Sequence, residues 1–266
     1  NMNGAITTLQ DFVRSKNEAP EQHCEEYNPN QVLLNVLSTI RQLREANDYS
    51  DDENMRMLDD GFNLCFLSFP LLALSAWHSA FKGKVKPFFA MKCNPDEKIV
   101  REMMVGGGEG VGFDAASVKE IESCLGGSGE GGEKIIFANP QKNVNAIEYA
   151  LHSGVNVMTF DSVHEADKIA RVARGEVDRV RKVEVVARIL VPDHGSKVRL
   201  GEKFGATPEE AVELYRHVKE RHGDVIDFVG VSFHVGSGVS DMDRYREALE
   251  IAKGVVRKEY SSTLGI

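Results

Sequence analysis

The sequence predicts an α/β fold on parallel strands, and three observations predict it. From about residue 85, short β-branched or aromatic runs alternate with helical patterns. The helices open on capping signals, and polar or charged residues stand where the strands stop. Strand–helix alternation at this spacing calls for parallel strands joined by crossover helices. Six such units, right-handed by rule, make either a doubly wound sheet or a (β/α)8 barrel. Six strands do not close an eight-stranded barrel, so in the barrel case the chain is expected to lack its end.

The elements follow in order. Strands are predicted at 85–91, 111–113, 134–138, 156–160, 183–190 and 225–235, with helices at 96–104, 116–125, 144–152, 163–174, 208–222 and 241–258. Ser117, Ser162 and Thr207 each precede a glutamate by three residues (Glu120, Glu165, Glu210), the spacing at which hydroxyl and carboxylate satisfy each other's backbone N–H. Asn94-Pro95 and Thr207-Pro208 read as an N-cap followed by proline in the first turn. Gly154 and Gly223 are predicted to take left-handed conformations just past helix ends. Before this region, residues 1–54 are polar, with one helical pattern over 31–46 and an acidic linker at 48–54. The apolar stretch 62–77 is broken by Asn63, Ser68, Pro70 and Ser75, and reads as a buried strand followed by a helix. The predicted division is an N-terminal extension over 1–60 and a barrel domain over 61–266.

Composition narrows the function. Hydrophobic residues at 42% and charged residues at 27% exclude disordered and fibrous classes. The net charge of −9 argues against a nucleic-acid partner and against an anionic membrane surface. No apolar run reaches the roughly 18 residues of a membrane span. Cys24, Cys65, Cys93 and Cys124 form no C-x-x-C pair, so neither a metal nor a redox motif is expected. Scattered thiols, with no apolar core around Arg14, Lys16 and Glu18, predict a cytoplasmic protein without a signal peptide.

In parallel α/β proteins the chemistry sits at the carboxyl ends of the strands. Read there, the strands deliver Lys92, Asp114, Asn139, Asp161, Arg188 and His234, the last followed by Gly236-Ser237-Gly238. Asn139 and Asp161 also read as caps of the following helices. Lys92 and Arg188 stand in apolar surroundings (FFAMK, VVARIL), where a charge must be paired or functional because desolvating it alone is costly. A lysine partly buried near cations loses its proton more easily, as a Schiff-base lysine requires. Two apparent motifs are set aside. The Gly127–Gly132 match to G-x-G-x-x-G precedes a strand instead of following one, and is predicted to be a loop. His217 and His222 lack the i, i+3 or i, i+4 spacing of a metal pair and are predicted to face solvent.

PFFAMKCNPD (87–96), GVGFDAASVKEIE (110–122), IIFANPQK (135–142), MTFDS (158–162), KFGAT (203–207) and DFVGVSFHVGSG (227–238) together resemble the ornithine decarboxylases of the eukaryotic type. The resemblance runs in order from about Phe62 to Lys253. It implies an alanine-racemase-like, TIM-type barrel with pyridoxal 5'-phosphate as cofactor. Lys92 is then the catalytic residue that holds the cofactor, and His234 stacks on its ring. Ser237, next to Gly236, takes the phosphate through hydroxyl and backbone N–H. Asp114 and Arg188 set the charge around them; Glu120 matches a family position too, beside its capping role. The implied reaction is decarboxylation of L-ornithine to putrescine for polyamine biosynthesis. The implied partners are a small amino-acid substrate, a second copy in a homodimer and an antizyme-type regulator. A regulatory decoy of the antizyme-inhibitor kind, or a decarboxylase for arginine, lysine or diaminopimelate, stays open. The family's remaining phosphate motif and C-terminal β-domain lie beyond Ile266, so the chain alone is expected to be an inactive portion of the enzyme.

Overall fold

In the computed structural model, residues 68–106, 110–126, 131–176, 182–194, 196–199 and 204–264 are described, without the side chains of 68 and 258–264, together with Leu34 and Ser38. Leu34 and Ser38 are helical; the rest of the predicted 31–46 helix, the 48–54 linker and residues 62–67 lie outside the described residues. By its contacts the chain divides into Asn1–Ser68 and Phe69–Ile266, and the fold that follows is that of the second unit.

The elements are α1 (Ser68–Phe81), β1 (Phe88–Ala90), α2 (Glu97–Gly106), β2 (Gly112–Ala115), α3 (Val118–Leu125), β3 (Ile135–Phe137) and α4 (Val144–His152). They continue with β4 (Val157–Phe160), α5 (Val163–Gly175), β5 (Val183–Arg188), α6 (Pro208–Arg221), β6 (Ile226–Ser232) and α7 (Asp243–Leu264). The six strands form one parallel sheet in the order β1-β2-β3-β4-β5-β6. This order settles the choice between the two topologies. A doubly wound sheet reverses its strand order at a switch point, whereas here every strand pairs with its chain neighbour. Successive helices from α2 to α7 also pack on one another, as an outer layer of a barrel does.

The apolar stretch before β1 is, from Ser68, the helix expected there, with Phe69, Leu72, Trp77 and Phe81 not buried. Trp77 still bonds its indole N–H to the Val85 carbonyl and stacks at a tilt on Phe81.

Helix starts follow local chemistry, with exceptions at α2, α3 and α5. Thr207 and Glu210 make the full reciprocal box, with proline in the first turn of α6. Ser162 accepts from the Glu165 N–H, but Glu165 turns inward to the Lys142 N–H instead of reaching back. At α2 the cap is Asp96, whose carboxylate accepts from the N–H groups of Lys98 and Ile99, while Asn94 only bonds the Asp96 N–H. Gly154 is left-handed as predicted (φ 77°), but Gly223 is not among the positive-φ glycines.

Alternation along the strands divides the sheet. Phe113, Ala115, Ile135, Phe137, Met158, Phe160, Val183, Val185 and Ala187 are buried in the hydrophobic core. The alternate residues Asp114, Ile136, Thr159, Val186 and Arg188 line a cavity instead. Pairing aligns these positions across the sheet: Ala90 with Asp114, Asp114 with Ile136, Thr159 with Val186, Arg188 with Ser232. A register shift intervenes in the β5–β6 pair, where Val185 faces Phe228 but Val186 faces Gly230. The extra residue, Val229, is a β-bulge beside the site, and it brings Ser232 opposite Arg188.

Candidate active site

The cavity, about 190 Å³, is lined by Phe88, Lys92, Asp114, Ile136, Ala138, Thr159, Val186, Arg188, Ser232, Phe233 and His234. Four of the six predicted site residues, Lys92, Asp114, Arg188 and His234, therefore meet in one place at the carboxyl ends of the strands. Their backbone positions differ in detail from the sequence reading. Lys92 sits in a turn two residues beyond β1, Asp114 lies within β2, Arg188 ends β5, and His234 stands two residues past β6.

Lys92 Nζ is 3.7 Å from Asp114 Oδ1, with its side chain 48% exposed. The cationic neighbour expected from sequence is thus a carboxylate. At that distance the pair attracts but makes no hydrogen bond, and Asp114 Oδ1 is buried with no hydrogen-bond partner. Burial raises the Asp114 pKa from its ordinary value; Lys92 opposes this and Glu120 adds to it. Glu120 reaches back one residue beyond the expected Ser117 N–H and accepts from the Ala116 N–H at 2.6 Å, while its own N–H donates to the Ser117 hydroxyl.

His234 is oriented by its own loop. Its Nδ1 accepts the Gly236 N–H at 2.8 Å, which leaves Nε2 to carry the proton of the neutral ring. Burial lowers its pKa, as do the positive charges of Arg188 and Lys92, against Asp114 and Asp193. The ring is consequently neutral near pH 7, a flat surface and not a cation. Arg188 lies over the Phe204 ring, 5.3 Å from its centroid. Burial lowers the Arg188 pKa while Asp161 and Asp114 hold it up.

Gly236 and Ser237 are not among the cavity-lining residues. The Ser237 N–H, expected to bind phosphate, is already donated to the Val198 carbonyl at 2.9 Å, and Val198 N–H returns a bond to the Ser237 carbonyl. Only the Ser237 hydroxyl is left for such a role. Gly236 has φ 87°, and a Cβ there would lie 2.4 Å from Ser196 Oγ and 2.8 Å from the Val198 carbonyl. Gly236→Ala is accordingly expected to cost about 1–3 kcal/mol of stability, measured by urea unfolding, and to loosen the loop that orients His234.

Asn139 and Asp161 are not helix caps. Asn143 caps α4 and Ser162 caps α5. Asn139 instead bonds the Ala116 carbonyl and the Gln141 N–H, tying the rim loops together. Asp161 accepts from the Gln141 side chain and from the Gly205 N–H, and so holds the loop carrying Phe204 near Arg188. The sequence reading missed Lys142. Its ammonium, fully buried, reaches Asn139 O at 2.9 Å, Thr159 O at 2.6 Å and Glu165 Oε1 at 3.0 Å. Glu165 also pairs with Lys168 at 2.5 Å. A lysine two residues after a strand-end Asn-Pro carried no periodic signal that would have marked it as buried.

Among the cysteines, Cys93 is exposed and Cys124 buried, and burial, with Glu120 nearby, pushes the Cys124 thiol up to about 12. Cys24 and Cys65 lie outside the described residues. Among the described residues no helix is long and apolar enough to cross a membrane. A wider cleft of about 780 Å³ lies between α2 and α3, but its charged lining (Glu97, Arg101, Lys119, Glu122) is exposed and gathers no comparable set of groups.

Fold and site together define a parallel α/β barrel domain that directs an amine, a carboxylate, a guanidinium and a neutral imidazole into one cavity at its strand ends. The pyridoxal-binding domain of the pyridoxal-dependent decarboxylases matches residues 72–266. The chain belongs to that family, whose cofactor is a pyridoxal. It is 42% identical over 172 residues to an ornithine decarboxylase of Mus pahari, covering 65% of this chain and 34% of that one. It is 34% identical over 216 residues to that of Caenorhabditis elegans, covering 81% and 48%. Among solved structures, an arginine decarboxylase of Paramecium bursaria Chlorella virus shares 32% identity at a TM-score of 0.62, over 72% of this chain and 48% of that one. A lysine/ornithine decarboxylase from Vibrio vulnificus, complexed with putrescine, shares 26% identity at 0.57, over 73% and 47%. The chain thus spans between a third and a half of the length of these relatives.

The donor set fits the cofactor. An aldehyde needs an amine, which Lys92 supplies. An unpartnered buried carboxylate oxygen waits beside that amine, and a neutral ring flanks it.

Proposed function

We propose that this chain is the cofactor-holding portion of a decarboxylase that converts L-ornithine to putrescine and carbon dioxide. The observation that carries the reading is the convergence of Lys92, Asp114, Arg188 and His234 on one strand-end cavity. The names of the relatives point to a basic amino acid as substrate, and the mouse and nematode ones to ornithine. When bound, pyridoxal phosphate supplies the electron sink for the bond that breaks. Lys92 Nζ is the atom that would hold the cofactor's aldehyde. Asp114, its carboxyl pKa raised, stands 3.7 Å away as a proton partner for that amine. His234 offers a flat, neutral face for the ring. Arg188, held over Phe204, keeps the anionic end of the site positively biased. The Ser237 hydroxyl is the part of its turn that can meet a phosphate. Glu120 sets the charge at Asp114 from the α3 start.

Residues 1–60 are then an extension, and 61–266 the barrel part of a longer protein that works as a cytoplasmic homodimer in polyamine synthesis. A decoy has no need of a cofactor pocket, so the four cavity groups favour the enzyme. The test is an amine-product assay on the purified full-length protein with ornithine, arginine and lysine in competition. Putrescine is the expected main product. Agmatine or cadaverine as the main product would reassign the substrate, and no amine at all with cofactor bound would return the decoy reading.

A further inference from the structure

The two histidines expected to face solvent do not. His217 and His222 side chains are only 17% and 12% exposed, and both turn toward Asp167 of α5. The five-residue spacing, wrong for two ligands on one helix, works because His222 is not in the helix. It is the residue that ends α6, with φ −134°, and its ring folds back to 5.2 Å from that of His217. The Nε2 atoms of His217 and His222 lie 2.6 and 2.7 Å from the same oxygen, Asp167 Oδ1. One ligand atom from each of the three residues falls within 4.8 Å of the others.

We propose that Asp167, His217 and His222 form a binding site for a divalent d-block cation of the zinc class, bridging α5 and α6 on the outer helix layer. It is independent of the cofactor site. Two imidazoles and one carboxylate suit such an ion, while magnesium and calcium prefer an all-oxygen shell. Ligand atoms around a tetrahedral zinc stand about 3.3 Å apart. Opening the present contacts to that spacing needs a side-chain rotation of Asp167, which is 50% exposed and free to make it. Its exposed side also leaves the fourth position to water.

Arg174 is the competitor built into the site. Its guanidinium contacts His222 Nδ1 at 3.2 Å, a contact that requires a lone pair there. A cation on Nε2 instead requires a proton on Nδ1. Arg174 must then release the ring, and it keeps Asp224 at 2.8 Å and the Arg221 carbonyl at 3.2 Å when it does. Asp224, held by that same arginine, is close enough to feel the charge of His222, and a carboxylate is the kind of acceptor a metal-bound imidazole calls for. The cation would fasten neighbouring helices and raise stability by binding only the folded state.

The test is calorimetric titration of Zn2+ into the full-length, cofactor-loaded protein and its H217Q/H222Q variant. We expect one site in the wild type, weakened by more than about tenfold in the variant, and a Zn2+-dependent rise in melting temperature that the variant lacks. Equal binding by both proteins, or none by the wild type, overturns the proposal. Should the variant fail to fold, Co2+ loading of the wild type decides. Visible d–d bands of a tetrahedral site without thiolate charge transfer support it; a thiolate band, or no bands, overturns it.

Discussion

Replacing Lys92 by alanine is expected to abolish the visible absorbance of the cofactor-loaded protein and to lower turnover by about 10⁴-fold or more. The physical reason is that, among the described residues, Lys92 is the only lysine lining the cavity. Arg188, the other cation there, is a guanidinium and makes a poor nucleophile. Stability should change little, because the lysine is half exposed and its attraction to Asp114 is stretched to 3.7 Å. The variant thus separates chemistry from folding. Loss of the 3.7 Å neighbour also removes the main charge opposing burial at Asp114, so the carboxyl pKa of the variant should rise further. Absorbance scans with added pyridoxal phosphate, alongside thermal melts, check both statements. A variant that retains the full visible band would show that the aldehyde is held elsewhere.

The second large effect is expected at Glu165. Its carboxylate is fully buried between Lys142 and Lys168 and accepts the Lys142 backbone N–H as well. Glu165→Ala leaves the Lys142 ammonium buried with only carbonyls and a phenyl face for company, and should cost about 3–5 kcal/mol. Adding Lys142→Met should recover part of that loss, because the unpaired charge goes with it. The damage reaches the site. Lys142 bonds the Thr159 carbonyl, and Thr159 lines the cavity, so cofactor affinity should fall in the single variant. Urea unfolding and cofactor titration measure the two effects.

The same lysine predicts a pH dependence. Burial lowers the Lys142 pKa from 10.5 to about 8, although Glu165 opposes the shift. Between those two values the unfolded chain binds the proton that the folded chain has released. Stability therefore rises with pH across the window, by about 3 kcal/mol for this group. Below about pH 8 both states are protonated and the full penalty of the buried charge is present. The stability of wild type relative to Lys142→Met should accordingly climb from pH 8 to 10. A flat difference would mean that Lys142 stays charged throughout.

Much of the molecule was legible beforehand, and the reason differs by element. The helices at 144–152 and 208–221 were readable because caps and periodicity lie within a few residues of each other. The strands came out too long at both ends in the first and sixth cases, since an apolar run does not say which residues will find a partner. β1 shrank to Phe88–Ala90 and β6 to Ile226–Ser232. Capping boxes failed where a carboxylate had a stronger distant partner, as at Glu165, whose buried lysine comes from 23 residues earlier.

The sequence by itself determined the order of strands and helices, the strand-end placement of Lys92, Asp114, Arg188 and His234, and the family, because these follow from local pattern and direct resemblance. Tertiary structure alone decided that the sheet runs without reversal, and that a bulge sets Ser232 opposite Arg188. It alone spent the Ser237 N–H on Val198, buried Lys142 against Glu165, and gathered two histidines on Asp167. Each of those depends on which groups far apart in the chain are brought within hydrogen-bond reach, a matter of packing that no local spacing encodes.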